Sequence, residues 1–415
     1  MRGAKLYLIL LLLVSLLPLT GCWGIRETDE IAYVLMVGID KGEKDNTILT
    51  LSIANPRAAT GNSEGGGGDK TREIVSVEAF GPVAMLDLLS TTIDRHINLQ
   101  HTKAYIFSEE LAREGLGRWL TPLMRFRETR GTAEVFICRG KARDIVEKSN
   151  PFLELSPAKQ IELIRKMSEA HGFFPITQLI TLHQDTKSLS KEPTVPLTGI
   201  HEGEFETTRP GILKGGAGQY LAGEVPVAGK NKVQFIGTAA FRGDKLVGLL
   251  DGEETRYYLM LTGDFGFGLI GVKDPLDQSS AIGLRVQQGR KPKYKTRVDD
   301  QGNVSIDVEL FLEPEIIVSA SANDFERTDL KPLLEEAFSR QTERQCQELI
   351  RRTQDELGAD IFGFGGKVKR EFLTERPWEE YEWLEVYPEI QINVVVHSQI
   401  RRTGLLLKRI PTTKG

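Results

Sequence analysis

The sequence predicts an α+β protein with mixed and antiparallel sheets and one long helix packed on a sheet near its C-terminal end. Three observations predict this. Between residues 72 and 148, short Val- and Ile-rich runs alternate with stretches of helical spacing. The last third is dominated by strand-like runs. From Asp329 to about Leu357, Leu330, Leu334, Ala337, Phe338, Cys346, Leu349, Ile350, Thr353 and Leu357 form an apolar stripe, with Glu335, Glu336, Arg340, Glu343, Arg344 and Arg351 on the other faces. A helix patterned in this way lies across a sheet and turns its charges to water.

The chain opens on a different kind of signal. Arg2 and Lys5 precede a twelve-residue apolar run from Leu6 to Leu17, followed by Pro18 and Leu19-Thr20-Gly21-Cys22. Basic, apolar and small residues in that order are the layout of a secretory signal peptide. The run is too short for a bilayer core, which a helix crosses in about 20 residues; an uncleaved N-terminal anchor is the alternative. Leu-Thr-Gly-Cys resembles the bacterial lipobox, in which small residues admit a peptidase and the thiol receives a diacylglycerol. Cys22 is therefore the expected lipidation site and residue 1 to residue 21 the expected leader. Two or more acyl chains hold a protein stably, at ~0.8 kcal/mol per buried CH₂. Loss of Arg2 and Lys5 moves the formal net charge from −5 to −7. An acidic balance argues against nucleic acid as a partner and against a polybasic hold on an anionic membrane.

The length, 415 residues, suggests two to four domains. Ile31 to Ile39 and Thr47 to Ala54 read as strands around a polar turn, and Gly61 to Asp69, with four consecutive glycines, as a mobile loop. Arg72 to Ala79 is extended. Pro82 opens a helix with Met85, Leu88, Leu89 and Ile93 on one face. Thr102 to Phe107 is a strand, and Ser108 caps the helix after it. Leu116 to Phe126 is helical, Thr132 to Cys138 a strand, and Lys141 to Lys148 helical again. Ser156-Pro157 starts a helix carrying Ile161, Ile164, Met167 and Ala170 on one face. Beyond Asp185 the chain reads as polar loop, with Pro193, Pro196 and a glycine-rich stretch from Gly211 to Gly229, and a boundary falls between Glu224 and Lys232. Val233 to Phe241 and Lys245 to Leu250 form a hairpin. Strands follow at Ala281 to Val286, Tyr294 to Val298 and Val304 to Leu312, and Ile390 to Val396 closes the sheet. No run after the leader approaches 18 apolar residues, so the body is expected to be soluble.

Motifs that imitate catalytic sites lack the required context. Gly266-Phe267-Gly268-Leu269-Ile270-Gly271 spells GxGxxG, but Val272-Lys273-Asp274-Pro275 follows where a helix should begin. Asp264-Phe265-Gly266 matches a kinase triplet without a preceding His-Arg-Asp loop. His96, His101, His171, His183, His201 and His397 lack HExxH spacing, and there is neither a CxxC nor a GxSxG. No catalytic, cofactor-binding or metal residue is assigned. His96 and His101 are expected to hold a local turn. Cys138 and Cys346 are expected to be two separate buried thiols, with pairing as the alternative. Lys293, Lys295 and Arg297 read as a solvated edge strand, with an anionic headgroup contact as the alternative. Trp378, Tyr381, Trp383 and Tyr387 read as core.

The residues after the lipobox carry a resemblance. Cys22-Trp23-Gly24-Ile25-Arg26-Glu27 and Glu30-Ile31-Ala32 resemble the mature start of the Ger(x)C family, the C-subunit lipoproteins of spore germinant receptors. Similar in turn are Gly38-Ile39-Asp40-Lys41, His101-Thr102-Lys103, Glu109-Glu110-Leu111-Ala112-Arg113 with Gly115, and Pro193-Thr194-Val195-Pro196. So are Gly237-Thr238-Ala239-Ala240-Phe241, Asp244-Lys245-Leu246-Val247-Gly248, and Gly358 to Gly365. Gly24, Thr28 and Phe126 depart from the family pattern.

The resemblance implies a three-domain lipoprotein on the outer face of the inner spore membrane. It would assemble with integral-membrane A and B subunits into a nutrient germinant receptor, without enzyme activity, cofactor or tightly bound small molecule. The implied divisions are a leader over 1–21, a β-rich N-terminal domain over 22–75 completed by 195–228, an α/β middle domain over 76–194, and a C-terminal α+β domain over 229–415. The rival reading, a solute-binding lipoprotein of a transporter, requires two similar lobes around a cleft. Here the strand-rich last third is unlike the middle.

Overall fold

A computed structural model describes residues 3–5, 7, 27–55, 71–151, 153–154, 156–203, 218–299, 303–319 and 323–401. Cys22, nearly all of the expected leader and the run from Gly61 to Asp69 lie outside the described residues. The described chain is an α+β fold with two mixed sheets.

The first sheet has nine strands in the order β3-β2-β1-β5-β6-β7-β8-β9, and β4 pairs separately with β1. β1 (Ile31–Lys41), β2 (Thr47–Ala54) and β3 (Arg72–Ala79) form an antiparallel meander. β4 (His96–Asn98), β5 (Ala104–Ser108), β6 (Glu134–Arg139) and β7 (Thr194–Ile200) supply the parallel pairings. Parallel neighbours need crossovers. Helices α2 (Glu109–Glu114) and α3 (Gly117–Arg125) link β5 to β6. Helices α4 (Ala142–Lys148), α5 (Pro157–His171) and α6 (Leu179–Asp185) lead from β6 to β7.

Side chains alternate across a strand, and here both faces are covered. Tyr105, Phe107, Val135 and Ile137 pack toward α2, α3 and α1 (Pro82–Leu89). Ala104, Ile106, Phe136 and Cys138 pack toward α4 and α5. This two-sided burial is why these strands read as unbroken apolar runs.

The sheet ends in the hairpin β8 (Val233–Arg242) and β9 (Lys245–Leu250), joined through Gly243 and Asp244. Both strands follow the expected boundary near 229, yet they continue the first sheet through the β7–β8 pairing.

The second sheet runs β10 (Phe267–Lys273), β11 (Ala281–Val298), β12 (Val304–Ser319) and β13 (Gln391–Ser398). Its last pair is parallel, and α8 (Lys331–Arg352) begins the crossover. Leu334, Phe338, Cys346, Leu349 and Ile350 of α8 join Ile282, Leu284, Ile306 and Val308 in one core, together with α7 (Gly252–Thr262).

Several elements differ from the sequence expectation, each for a physical reason. Helix α1 stops at Leu89 and leaves Leu88 about half exposed, at 48%. The Ser90 and Thr91 hydroxyls donate to the carbonyls of Leu86 and Leu88, bonds that compete with helix continuation. On α5, Ser168 rather than Met167 faces inward, and its hydroxyl donates to the Phe174 carbonyl. The expected loop at Pro193 to Pro196 is a buried strand. Pro196 cannot donate a ladder bond, and the β7–β8 register shifts beside it. The two strands expected at 281–286 and 294–298 are one, with register shifts between Gln288 and Lys293.

Helix α8 holds the second sheet through its buried stripe. Phe338→Ala is expected to cost about 3–5 kcal/mol, whereas Arg340→Ala on the exposed face should stay within about 0.5 kcal/mol. Urea unfolding midpoints of the two variants check the difference.

Candidate functional site

The one residue expected to be modified, Cys22, lies outside the described residues. The other residues singled out above can be followed in the structure, and most of them hold backbone in place.

Gly266 and Gly268 sit against the C-terminal end of α5. A Cβ on Gly266 would collide with the Glu169 carbonyl oxygen, and one on Gly268 would lie 3.1 Å from that of His171. Arg256 of α7 locks the same joint: Nε donates to the His171 carbonyl at 2.9 Å and Nη1 to that of Leu269 at 2.7 Å. Its guanidinium also lies 3.9 Å from the Phe173 ring centroid. Burial lowers its pKa to about 10. A helix C-terminus presents carbonyls and partial negative charge, the reverse of a phosphate site. The glycines therefore serve a close approach between backbone segments.

His96 Nε2 is 2.9 Å from Glu128 Oε1, and His101 packs edge-on to Tyr33 with centroids 5.0 Å apart. Burial lowers the pKa of His171 to about 4, and its Nδ1 accepts from the Phe173 N–H at 3.2 Å. No group of three or more His, Cys, Asp or Glu fit to hold a metal occurs among the described residues. Cys138 and Cys346 are free thiols buried in different cores. Lys295 pairs with Glu309 and Arg297 with Asp307, each at 2.5 Å. These charges are thus matched by the neighbouring strand. Trp378, Trp383 and Tyr387 are fully buried.

Carboxylates hold the loops. Asp40 at the end of β1 accepts from the N–H groups of Ala142 (2.6 Å) and Arg143 (2.8 Å), the start of α4. Burial raises its pKa against these two bonds. Gly38 lets α4 approach, since a Cβ there would lie 3.1 Å from Val146 and 3.2 Å from the Ala142 backbone. Asp244 accepts from the Gly117 N–H at 2.8 Å. Gly115, with φ +126°, has no room for a Cβ beside the same carboxylate. Asp251 caps α7, which begins with a complete capping box closed by Glu254. That box is spelled in the sequence as Asp251-Gly252-Glu253-Glu254, although no helix was expected there.

Asp360 is the most engaged of these acids. Oδ1 accepts from the N–H groups of Phe362, Gly363 and Phe364 at 3.1, 2.9 and 3.2 Å. Oδ2 accepts from the Gly365 N–H and from Trp383 Nε1, both at 2.9 Å. The Asp360 carbonyl receives the Glu192 N–H at 2.8 Å. The Glu192 carboxylate in turn accepts from the Gly243 N–H at 2.6 Å, and burial pushes its pKa up to about 7. Glu134 is raised to about 7 by the same cause, with Arg165 3.6 Å away pulling the other way.

Segments quoted for the family resemblance thus meet one another in space. Gly115 meets Asp244, and Gly248 lies where a Cβ would come within 2.5 Å of Leu357, beside Gly358. These contacts define a framework of glycine approaches and carboxylate-held loops.

Known proteins resemble this chain in sequence and in fold. Residues 24–200 match the family described as "Spore germination protein N-terminal domain", and residues 236–404 match "Spore germination B3/ GerAC like, C-terminal". Among curated relatives, the spore germination protein KC of Bacillus subtilis (strain 168) is 27% identical over 97% of this chain and 96% of its own. YfkR of the same strain, also named for spore germination, is 26% identical over 97% of both chains. The spore germination protein B3 is 21% identical over 95% of this chain and 96% of its own. The crystal structure of the GerBC protein superposes with a TM-score of 0.53 at 16% identity, covering 88% of this chain and 96% of that one, and so shares the fold. The chain belongs to the Ger(x)C family of spore germination proteins.

Two outcomes test the acid framework. Asp360→Ala should destabilise by at least about 3 kcal/mol, because it leaves several buried donors unpaired; denaturant unfolding measures it. Glu134 and Glu192 have folded pKa values above their unfolded value of 4.5. The native state therefore binds more protons, and their contribution to stability is full below about pH 4.5 and lost as pH rises through about 7. In Glu134→Gln/Glu192→Gln, the fall of the unfolding midpoint between pH 5 and 7.5 should flatten.

Proposed function

We propose that this protein is the lipid-anchored C subunit of a nutrient germinant receptor, held at the outer face of the inner spore membrane through Cys22. In this reading it acts by assembling with integral-membrane A and B subunits, without catalysis. One observation carries the proposal: similarity to spore germination proteins extends over nearly the full length of both chains.

Two features support the anchor and the absence of chemistry. No helix among the described residues is long and apolar enough to cross a membrane, which is compatible with attachment through lipid on Cys22. The acids with raised pKa values face backbone donors or an arginine, which fits a structural role for them. The three-part division of the mature chain at 22–75 with 195–228, 76–194 and 229–415 belongs to the same proposal.

Metabolic labelling with a fatty acid should mark the parent and leave Cys22→Ala unlabelled. The variant should also leave the membrane fraction of spores. Spores lacking the gene should lose their response to the cognate nutrient. Equal labelling of both forms would remove the anchor, and an unchanged nutrient response would remove the receptor role.

A further inference from the structure

A cleft of about 450 Å³ opens where the start of β3, the end of α4, the start of α5 and the residues before β8 come together. Four of its lining residues are cations, Arg72, Lys148, Lys230 and Lys232, against one acid, Glu147. The chain as a whole carries a formal charge of −5, so the cleft runs against the rest of the molecule. A concave surface of one sign focuses the field and concentrates counter-ions.

The fold leaves much of this charge unmatched. Glu147 is held by Arg143, whose Nε donates to it at 2.6 Å. Lys148 Nζ shares the Glu202 carboxylate at 3.1 Å and keeps a side chain 45% exposed. Lys230 is exposed, Lys232 is half-exposed, and neither pairs with a carboxylate among the described residues. Arg72 is half-buried, and its guanidinium donates to the carbonyls of Val146 (2.7 Å), Glu147 (3.2 Å) and Ser149 (2.7 Å). Those bonds tie β3 to the end of α4 and fix one wall of the cleft, while neutral carbonyls leave the positive charge of Arg72 uncancelled.

The same bonds narrow the choice of anion. Carboxylates are read best by a free arginine fork, through two parallel N–H bonds, and the Arg72 fork is occupied. Lysine remains: a point charge with three donors on a flexible stem, which suits a phosphate group. Lys230 and Lys232 together match a phosphate monoester, whose charge at neutral pH is about −1.5 to −2. Asn150, exposed at the rim, adds neutral amide donors. The cleft is within the size range of small-molecule sites, so it has room for the body that carries the phosphate.

We infer that this cleft binds a phosphate monoester, with the phosphate held by Lys230 and Lys232, Lys148 beside them and Arg72 fixing the wall. A free phosphate ester and a lipid headgroup share this chemistry, and the test separates them. The inference departs from the expectations of no tightly bound small molecule and no basic hold on an anionic membrane, and it does not depend on the receptor role.

The test uses the chain from residue 22 onward with Cys22→Ala, which keeps every strand and helix labelled above and removes the anchor. The probes are glycerol 3-phosphate, followed by calorimetry, and phosphatidylcholine vesicles with and without phosphatidic acid, followed by flotation. Glycerol 3-phosphate should bind the parent and weaken as salt rises. Lys230→Gln/Lys232→Gln should lower its affinity at least about tenfold, the worth of one hydrogen bond between charged groups. Lys44→Gln/Lys273→Gln removes two exposed positive charges elsewhere and should bind like the parent. A headgroup site should also float the parent with phosphatidic acid vesicles, through the same two lysines, whereas a site for a free ester should leave it behind. Absence of binding to both probes, succinate binding as tightly as glycerol 3-phosphate, or equal losses in the two double variants would overturn the site.

Discussion

A backbone N–H buried away from water must find an acceptor, and this constraint organises the molecule. Regular strands and helices satisfy it internally. The loops that join them satisfy it with carboxylates, often drawn from distant segments: Asp40 for the start of α4, Asp244 for α3, Glu192 for the β8–β9 turn, and Asp360 for the loop beyond α8. Each carboxylate takes the place of water at donors that the fold has covered. Acids cluster in other proteins for catalysis, but here their oxygens point at fixed backbone atoms.

The same interactions join the two sheets. Glu254 closes the capping box of α7 and also pairs with Arg352 of α8, whose guanidinium donates to the Leu249 carbonyl of β9. Glu192 links the turn of β8–β9 to the Asp360 loop. Gly248 then lets Leu357 reach β9. A body braced in this way keeps a surface of fixed shape, which the proposed role by assembly requires.

Local periodicity was legible in the sequence, whereas the use made of single residues was not. The α8 stripe, the β8–β9 hairpin and the strands of the first sheet depend on spacing alone. Strand β7 was hidden by Pro196 within it and Pro193 just before it, since prolines mark loops unless a neighbouring strand tolerates the missing donor. Helix α7 was hidden because nearly every face of it is buried, so no amphipathic stripe appears. The first two glycines of the GxGxxG string, Gly266 and Gly268, signal close approach in either reading. Only the partner, a helix C-terminus instead of a phosphate, decides between them. For Cys22 the sequence remains the sole source, since its signal concerns processing and not folding.

Chain length would tie the proposed anchor to the first sheet. Ile31, the first residue of β1, lies nine positions beyond Cys22, and an extended chain advances at most about 3.3–3.6 Å per residue. If Cys22 carries lipid, β1 begins within about 30 Å of the bilayer surface. Ile31 pairs with His96 of β4, whose ring reaches Glu128 beyond α3. Such a tether would hold this end of the first sheet near the membrane and leave the face turned toward it to be set by the partners.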